Sequence, residues 1–287
     1  MDVGHSICFN SLDRIQWLRT IIEGRTYANL AGNETICAEL KIQKNGLRPE
    51  HITSLACLFE ELINNGKHIY VEADKEVIQF LKEVLHFDDY WNKGTTFVNS
   101  SKASILNLWK VNGVEVDFHS KRIGKYFKQR EFENKDITAL SGSILEVYYN
   151  VVDHSNSSGN AVSFISYDDI AKKVNVSVCD FGRGIADSVK SVLPELTDAE
   201  AIRKAMEPRF TIRSESHNGG YGLDTIRSSC TEKDTLWIIS NGTALVSMGD
   251  NERTIDIEPK FKGTLVFYSI SLEYLPELEI EDEIIEL

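Results

Sequence analysis

Apolar residues recur at helical spacing between about Lys135 and His154, at Leu140, Ile144, Val147, Tyr148 and Val151, and so share one buried stripe of a helix. Glu146 and Asn150 stand off that stripe. At ~100° per residue they fall together on a second line one turn apart, so a carboxylate and an amide can meet one ligand. The period then changes. Val174-Asn175-Val176-Ser177-Val178-Cys179-Asp180 alternates apolar with polar residues, which predicts a half-buried strand that ends at Asp180 and runs into the turn Phe181-Gly182-Arg183-Gly184-Ile185. Two short helical patterns follow, Asp187 to Leu193 and Asp198 to Met206, in a stretch without a long apolar run that reads as a lid. Gly219-Gly220-Tyr221-Gly222 then precedes Leu223 to Arg227, a helix start whose backbone amides can cradle phosphate oxygens. Leu236 to Ser240 and Gly263 to Ile270 read as strands.

The N-terminal part carries no obvious catalytic motif. Its pattern predicts a strand Thr35 to Gln43, a helix Pro49 to Asn64, a strand His68 to Glu72 and a helix Lys75 to His86. Pro49 and Glu50 suit a helix start, and Asn65-Gly66 suits its end. The segment Val114 to Phe118 is not helical in pattern.

Composition narrows the functions open to such a chain. With 287 residues, 42% hydrophobic and 26% charged, it is long enough for two ordinary cores. A net charge of −13 argues against a surface for nucleic acid, whose phosphates call for a basic patch. Part of that charge sits between Glu277 and Glu286, read as a solvated tail or an edge strand. Five cysteines, Cys8, Cys37, Cys57, Cys179 and Cys230, are scattered without a C-x-x-C pair, as expected of a reduced, cytoplasmic protein. No signal peptide, apolar run of membrane-spanning length or zinc-type cluster is evident, so neither a membrane nor a structural metal is expected. The phosphate loop G-x-x-x-x-G-K-[ST] does not occur either.

Taken in order, Glu146-Val147-Tyr148-Tyr149-Asn150, Asp180-Phe181-Gly182-Arg183-Gly184-Ile185, Gly219-Gly220-Tyr221-Gly222-Leu223 and Gly263-Thr264 resemble the GHKL superfamily of ATP-binding domains. That superfamily includes gyrase, the heat-shock chaperone, histidine kinases and mismatch-repair ATPases. The resemblance implies an α/β fold: a C-terminal α/β sandwich of the Bergerat type over residues 113–287, with a mixed, mostly antiparallel sheet covered by helices. It also implies ATP and Mg²⁺ as ligands. Glu146 would be the general base, Asn150 would hold the magnesium against the phosphates, and Asp180 would accept a hydrogen bond from the adenine amino group. Gly182 and Gly184 would leave room for the base, Ile185 would belong to the same pocket, and Thr264 would join Asp180 at the adenine. Gly219, Gly220, Tyr221, Gly222 and Leu223 would complete the phosphate side. Arg209 and Arg213 are the nearest cations and His154 stands one turn beyond Asn150; a solvated loop or helix-end place and a contact with the phosphates are both open to them.

Residues 1–112 are similar in their β-α-β-α order to a STAS domain, the family of the anti-anti-sigma factors. That likeness implies a regulatory unit and a protein partner. Thr53 and Ser54 stand near the place where such domains receive phosphate, although the flanking sequence departs from the usual pattern. The combination suits an enzyme, either an ATPase or an anti-sigma-type serine/threonine kinase, with a homodimer as one arrangement it admits. Two alternatives stay open: a non-catalytic ATP/ADP-dependent switch and an atypical histidine kinase. The latter lacks room for a full helical hairpin ahead of Glu146. A chaperone- or topoisomerase-like machine would need a separate partner chain to bring a lysine to the terminal phosphate.

Overall fold

The computed structural model describes residues 4–128, 134–154, 160–208, 210 and 222–277. Two sheets organise it. The first is parallel, in the order β1 (His5–Phe9), β2 (Thr35–Leu40), β3 (His68–Ala73). The second has five antiparallel strands in the order β4 (Ile105–Lys110), β5 (Ala161–Asp168), β6 (Lys173–Asp180), β8 (Asn251–Ser271), β7 (Thr235–Met248). The class is therefore α/β, with a parallel N-terminal and an antiparallel C-terminal sheet. Strands β1 and β4 were not anticipated from the pattern, since each is short and neither alternates cleanly. Strand β4 joins the second sheet from ahead of residue 113.

Between the sheets lie α1 (Arg14–Arg25) and α2 (Pro49–Asn64). Asp13 caps α1 by accepting the Ile15 and Gln16 N–H groups at 3.1 and 3.0 Å. Pro49 opens α2, and His51 Nδ1 accepts the Arg48 N–H at 3.2 Å. The bounds of α2 match those expected from the sequence, but its burial does not follow an amphipathic stripe. Every residue from Pro49 to Phe59 is buried. The cause is its double contact: α2 packs against β3 on one side and against β5, β6 and β8 on the other. Lys75 to Gln79 forms α3 and continues as a π turn through Phe80–Val84, and α4 spans Phe87–Asn92.

The opposite face of the five-stranded sheet is covered by α5 (Val116–Lys128), α6 (Thr138–His154), α7 (Ile185–Lys190), α8 (Asp198–Ala205) and α9 (Gly222–Ser229). Helix α5 corrects the reading of Val114 to Phe118 as non-helical, because Val116 to Phe118 form its first turn. The apolar stripe of α6 does face the core, with Leu140, Ile144, Val147, Tyr148 and Val151 all buried. The expectation of a half-buried β6 is also corrected. Val174, Val176 and Val178 meet the α6 side, while Ser177 and Cys179 point the other way and are buried under α2. Ser177 Oγ lies 2.7 Å from Thr53 Oγ1, and Cys57 Sγ donates to the Cys179 carbonyl at 3.2 Å. A polar face laid down for water by the pattern is here matched by hydroxyl and thiol groups of a helix from the other half of the chain.

Among the described residues, no helix is long and apolar enough to cross a membrane.

Candidate functional site

The C-terminal end of β6 builds the candidate site. By strand alternation Asp180 points to the side of Val178 and Val176, the side covered by α6. Its register partner on β8 is Thr264. The Thr264 hydroxyl accepts the Ile185 N–H at 3.2 Å and lies near enough to the Asp180 carboxylate to favour its ionised form. The Asp180 Oδ1 also accepts the Gly182 N–H at 2.8 Å, which tightens the turn. Asp180, Gly182, Ile185 and Thr264 thus come together in one cluster, drawn from the 180–185 stretch and from β8.

Asp180 is 2% exposed, and burial pushes its carboxyl up to about 6 from an ordinary 3.8. The Gly182 N–H, the Thr264 hydroxyl and the Arg25 cation all pull the other way. Between the ordinary value and about 6 the folded chain holds this proton more firmly than the unfolded chain, so stability falls as pH rises through that window. A ligand that donates a hydrogen bond to the ionised carboxylate would recover part of that loss.

Two glycines let the backbone close in around this cluster. Gly184 adopts φ 86°, but a Cβ there would meet the Gly263 carbonyl oxygen at 2.6 Å and Ser240 Oγ at 2.7 Å. Its missing side chain makes room for the protein's own backbone, and its φ is one that glycine adopts without strain. Gly263 is tighter still: at φ 133°, a Cβ would sit 2.2 Å from the Asp180 carbonyl oxygen. Ser240, which the sequence reading passed over, completes the junction. Its Oγ accepts the Ala186 N–H and donates to the Gly263 carbonyl, each at 3.1 Å. Only its place at the end of a predicted strand could have marked it. The first amides of α7 are therefore engaged by the hydroxyls of Thr264 and Ser240, which lie within β8 and β7.

Glu146 and Asn150 are both half-buried on α6. Tyr148 fixes this helix over β5 through a 2.6 Å hydroxyl contact with Ser163. After His154 the chain re-enters the sheet at β5, whose first residue, Ala161, is the register partner of Asp180. The C-terminal half of α6 therefore approaches the Asp180 end of the sheet, and α9 packs against α6. No direct bond between Glu146 or Asn150 and the Asp180 cluster is seen. Gly222 opens α9, and Leu223 is buried in the core at 6% exposure, so its side chain serves packing. Gly219, Gly220, Tyr221, Arg209 and Arg213 lie outside the described residues, as does the side chain of His154. The acidic tail beyond Glu277 lies outside them too.

No group of three or more His, Cys, Asp or Glu side chains among the described residues could hold a metal ion. A metal that arrives with a phosphate ligand asks for less. Magnesium keeps several waters and needs only one or two protein oxygens, which the Asn150 amide fits. Thr53 and Ser54 are fully buried: Thr53 donates to the Pro49 carbonyl, and Ser54 accepts the Trp17 indole N–H. Neither hydroxyl is open to a phosphate donor. His119, the histidine of α5, is 1% exposed and stacked 4.1 Å from Trp109, and burial lowers its pKa to about 3.

In comparisons with known proteins, no family model matches the chain and no curated protein matches it.

Proposed function

We propose that this chain binds ATP in the manner of the GHKL superfamily, through a Bergerat-type pocket, and acts as an ATPase or as a serine/threonine kinase toward a regulatory protein. The observation that carries the reading is the Asp180–Thr264 pair: a buried strand-end carboxylate, set opposite a hydroxyl on the neighbouring strand, at the mouth of a glycine turn. A carboxylate so placed is an acceptor suited to an exocyclic amino group, which gives the base selectivity that glycine loops lack. The approach of α6 to the same end of the sheet supports roles for Glu146 as general base and Asn150 as the magnesium-holding amide. Magnesium would neutralise phosphate charge during transfer. Glu146 would take the proton from water in an ATPase or from a protein hydroxyl in a kinase, since general-base geometry is the same for both.

The parallel N-terminal unit supports a STAS-like regulatory role, and the burial of Thr53 and Ser54 supports a phospho-acceptor on a partner rather than at these two hydroxyls. Burial of His119 counts against an atypical histidine kinase that uses that residue. All five cysteines are free, which suits a reducing compartment such as the cytoplasm.

Incubation with magnesium and γ-labelled ATP separates the chemistries. Free phosphate is the result for an ATPase, acid-stable label on added or co-purified protein for a Ser/Thr kinase, and acid-labile label for a histidine kinase. Nucleotide binding without any label transfer would leave a conformational switch. The base site is checked by calorimetry with Mg-ADP: Asp180→Asn is expected to weaken binding ~10-fold or more, the size of one buried charge-assisted hydrogen bond. Because the carboxyl titrates at about 6, wild-type affinity should rise with pH through that value while the Asn variant stays flat there. Equal affinities, or parallel pH profiles, would remove Asp180 from the base site.

A further inference from the structure

The residue after Asp180 is gripped from behind the sheet. Phe181 points away from the candidate pocket, toward the α1–α2 layer, and the Arg25 guanidinium lies 3.9 Å from the centre of its ring. The same guanidinium donates to the Lys262 carbonyl. It is held in a fork by Glu61 of α2, with Nε–Oε2 at 2.7 Å and Nη2–Oε1 at 2.9 Å. Phe181 in turn packs edge-on against Phe261 at 5.8 Å. One side chain at the end of α1 therefore touches both strands at the level of the site: Phe181 follows Asp180 at the end of β6, and Lys262 precedes Gly263 and Thr264 within β8. The guanidinium is well shielded, with the Arg25 side chain 15% exposed and that of Glu61 22%. A planar, bidentate and stacked arginine of this kind is not replaceable by a bare positive charge.

We propose that Arg25 is a positioning residue through which the N-terminal unit sets the affinity of the nucleotide site, by fixing the end of β6 against the Lys262–Thr264 stretch of β8 so that Asp180 and Thr264 stay in register. The inference rests on the nucleotide reading and adds a regulatory route to it. Its charge acts in the same sense as its geometry, because it favours the ionised Asp180 carboxylate from the far side of the strand. Anything that shifts α1 against α2, or draws Glu61 away, would loosen the clasp and with it the base site. The tie is physical rather than correlative: three contacts from one guanidinium span the two halves of the chain.

The test uses the full chain and Mg-ADP calorimetry, with thermal melting as a check on folding. Arg25→Ala is expected to weaken ADP binding about tenfold, inside the ~5–150-fold range of couplings between sites. Arg25→Lys should recover part of the loss, since a cation and a donor to the Lys262 carbonyl remain. In an Asp180→Asn background the same Arg25→Ala change should have little further effect, which a general loss of structure would not produce. If Arg25→Ala does not fold, Glu61→Gln, which frees the guanidinium without removing it, should weaken binding in the same direction. Wild-type binding that Arg25→Ala and Glu61→Gln leave unaltered would overturn this inference alone, whereas absence of binding by the wild type would overturn the nucleotide reading and this inference together.

Discussion

Replacing Glu146 by Ala is expected to lower ATP turnover by ~10²–10⁴-fold, the usual contribution of a positioned general base. Mg-ATP affinity should stay within about threefold of the wild type, because a base acts on the nucleophile in the transition state more than on the bound nucleotide. The separation between the two effects is the informative part. Glu146 is half-buried and lies one turn before Asn150 on α6, a helix held over β5 by the Tyr148–Ser163 contact, so its removal should not disturb the sheet. Asn150→Ala should behave in the opposite way and weaken magnesium-dependent binding. Phosphate release followed at saturating ATP, together with calorimetry of Mg-ATP, distinguishes the two. A Glu146→Ala protein that loses affinity and turnover in equal measure would make the residue a metal holder or a structural group rather than the base.

The largest effect on stability is expected at Gly263. An alanine there must accept both a φ of 133° and a Cβ 2.2 Å from the Asp180 carbonyl oxygen, and the obstructing atom belongs to the backbone of the neighbouring strand. Backbone strain of ~1–3 kcal/mol and overpacking of ~1–3 kcal/mol sum to a loss of about 2–6 kcal/mol. Urea unfolding should register it as a lower midpoint. Gly142 provides the control: it lies within α6, nothing stands within 4 Å of its would-be Cβ, and Gly142→Ala should stabilise by up to about 1 kcal/mol. If Gly263→Ala unfolds at the wild-type midpoint, the close approach of β8 to the Asp180 turn is wrong, and the bonded cluster around Thr264 goes with it.

The Gly263 geometry also changes what the Gly-Thr pair means. As sequence, glycine before threonine marks a strand end and nothing more. As structure, the glycine allows β8 to pass against the Asp180 carbonyl, and that passage is what delivers the Thr264 hydroxyl to the Asp180 carboxylate. Gly184 does the same from the other side, under Ser240 and the Gly263 carbonyl. Both glycines serve the wall of the site. Whatever room a base would occupy must come from elsewhere in the cluster.

Elements with local signals could be read from the order of residues alone. The 3.6-residue period of α6, the Pro49 start and Asn65 end of α2, and the apolar strands β6 and β8 are properties of neighbouring residues, and they were legible because backbone hydrogen bonding and side-chain direction repeat over short distances. The same locality placed Asp180 at a strand end and Glu146 one turn from Asn150. The remaining features depend on segments far apart in the chain and emerge only once it is packed. That α2 is buried on both sides, that Ser177 meets Thr53 instead of water, that Ser240 and Thr264 satisfy the first amides of α7, and that Arg25 reaches Phe181 and Lys262 are outcomes of stacking one sheet on another through a shared helical layer. The polar residues involved carry no periodic signature of their own. Their partners are chosen by the burial of the large apolar surfaces around them, which leaves each hydroxyl, amide and guanidinium to be matched where it lands.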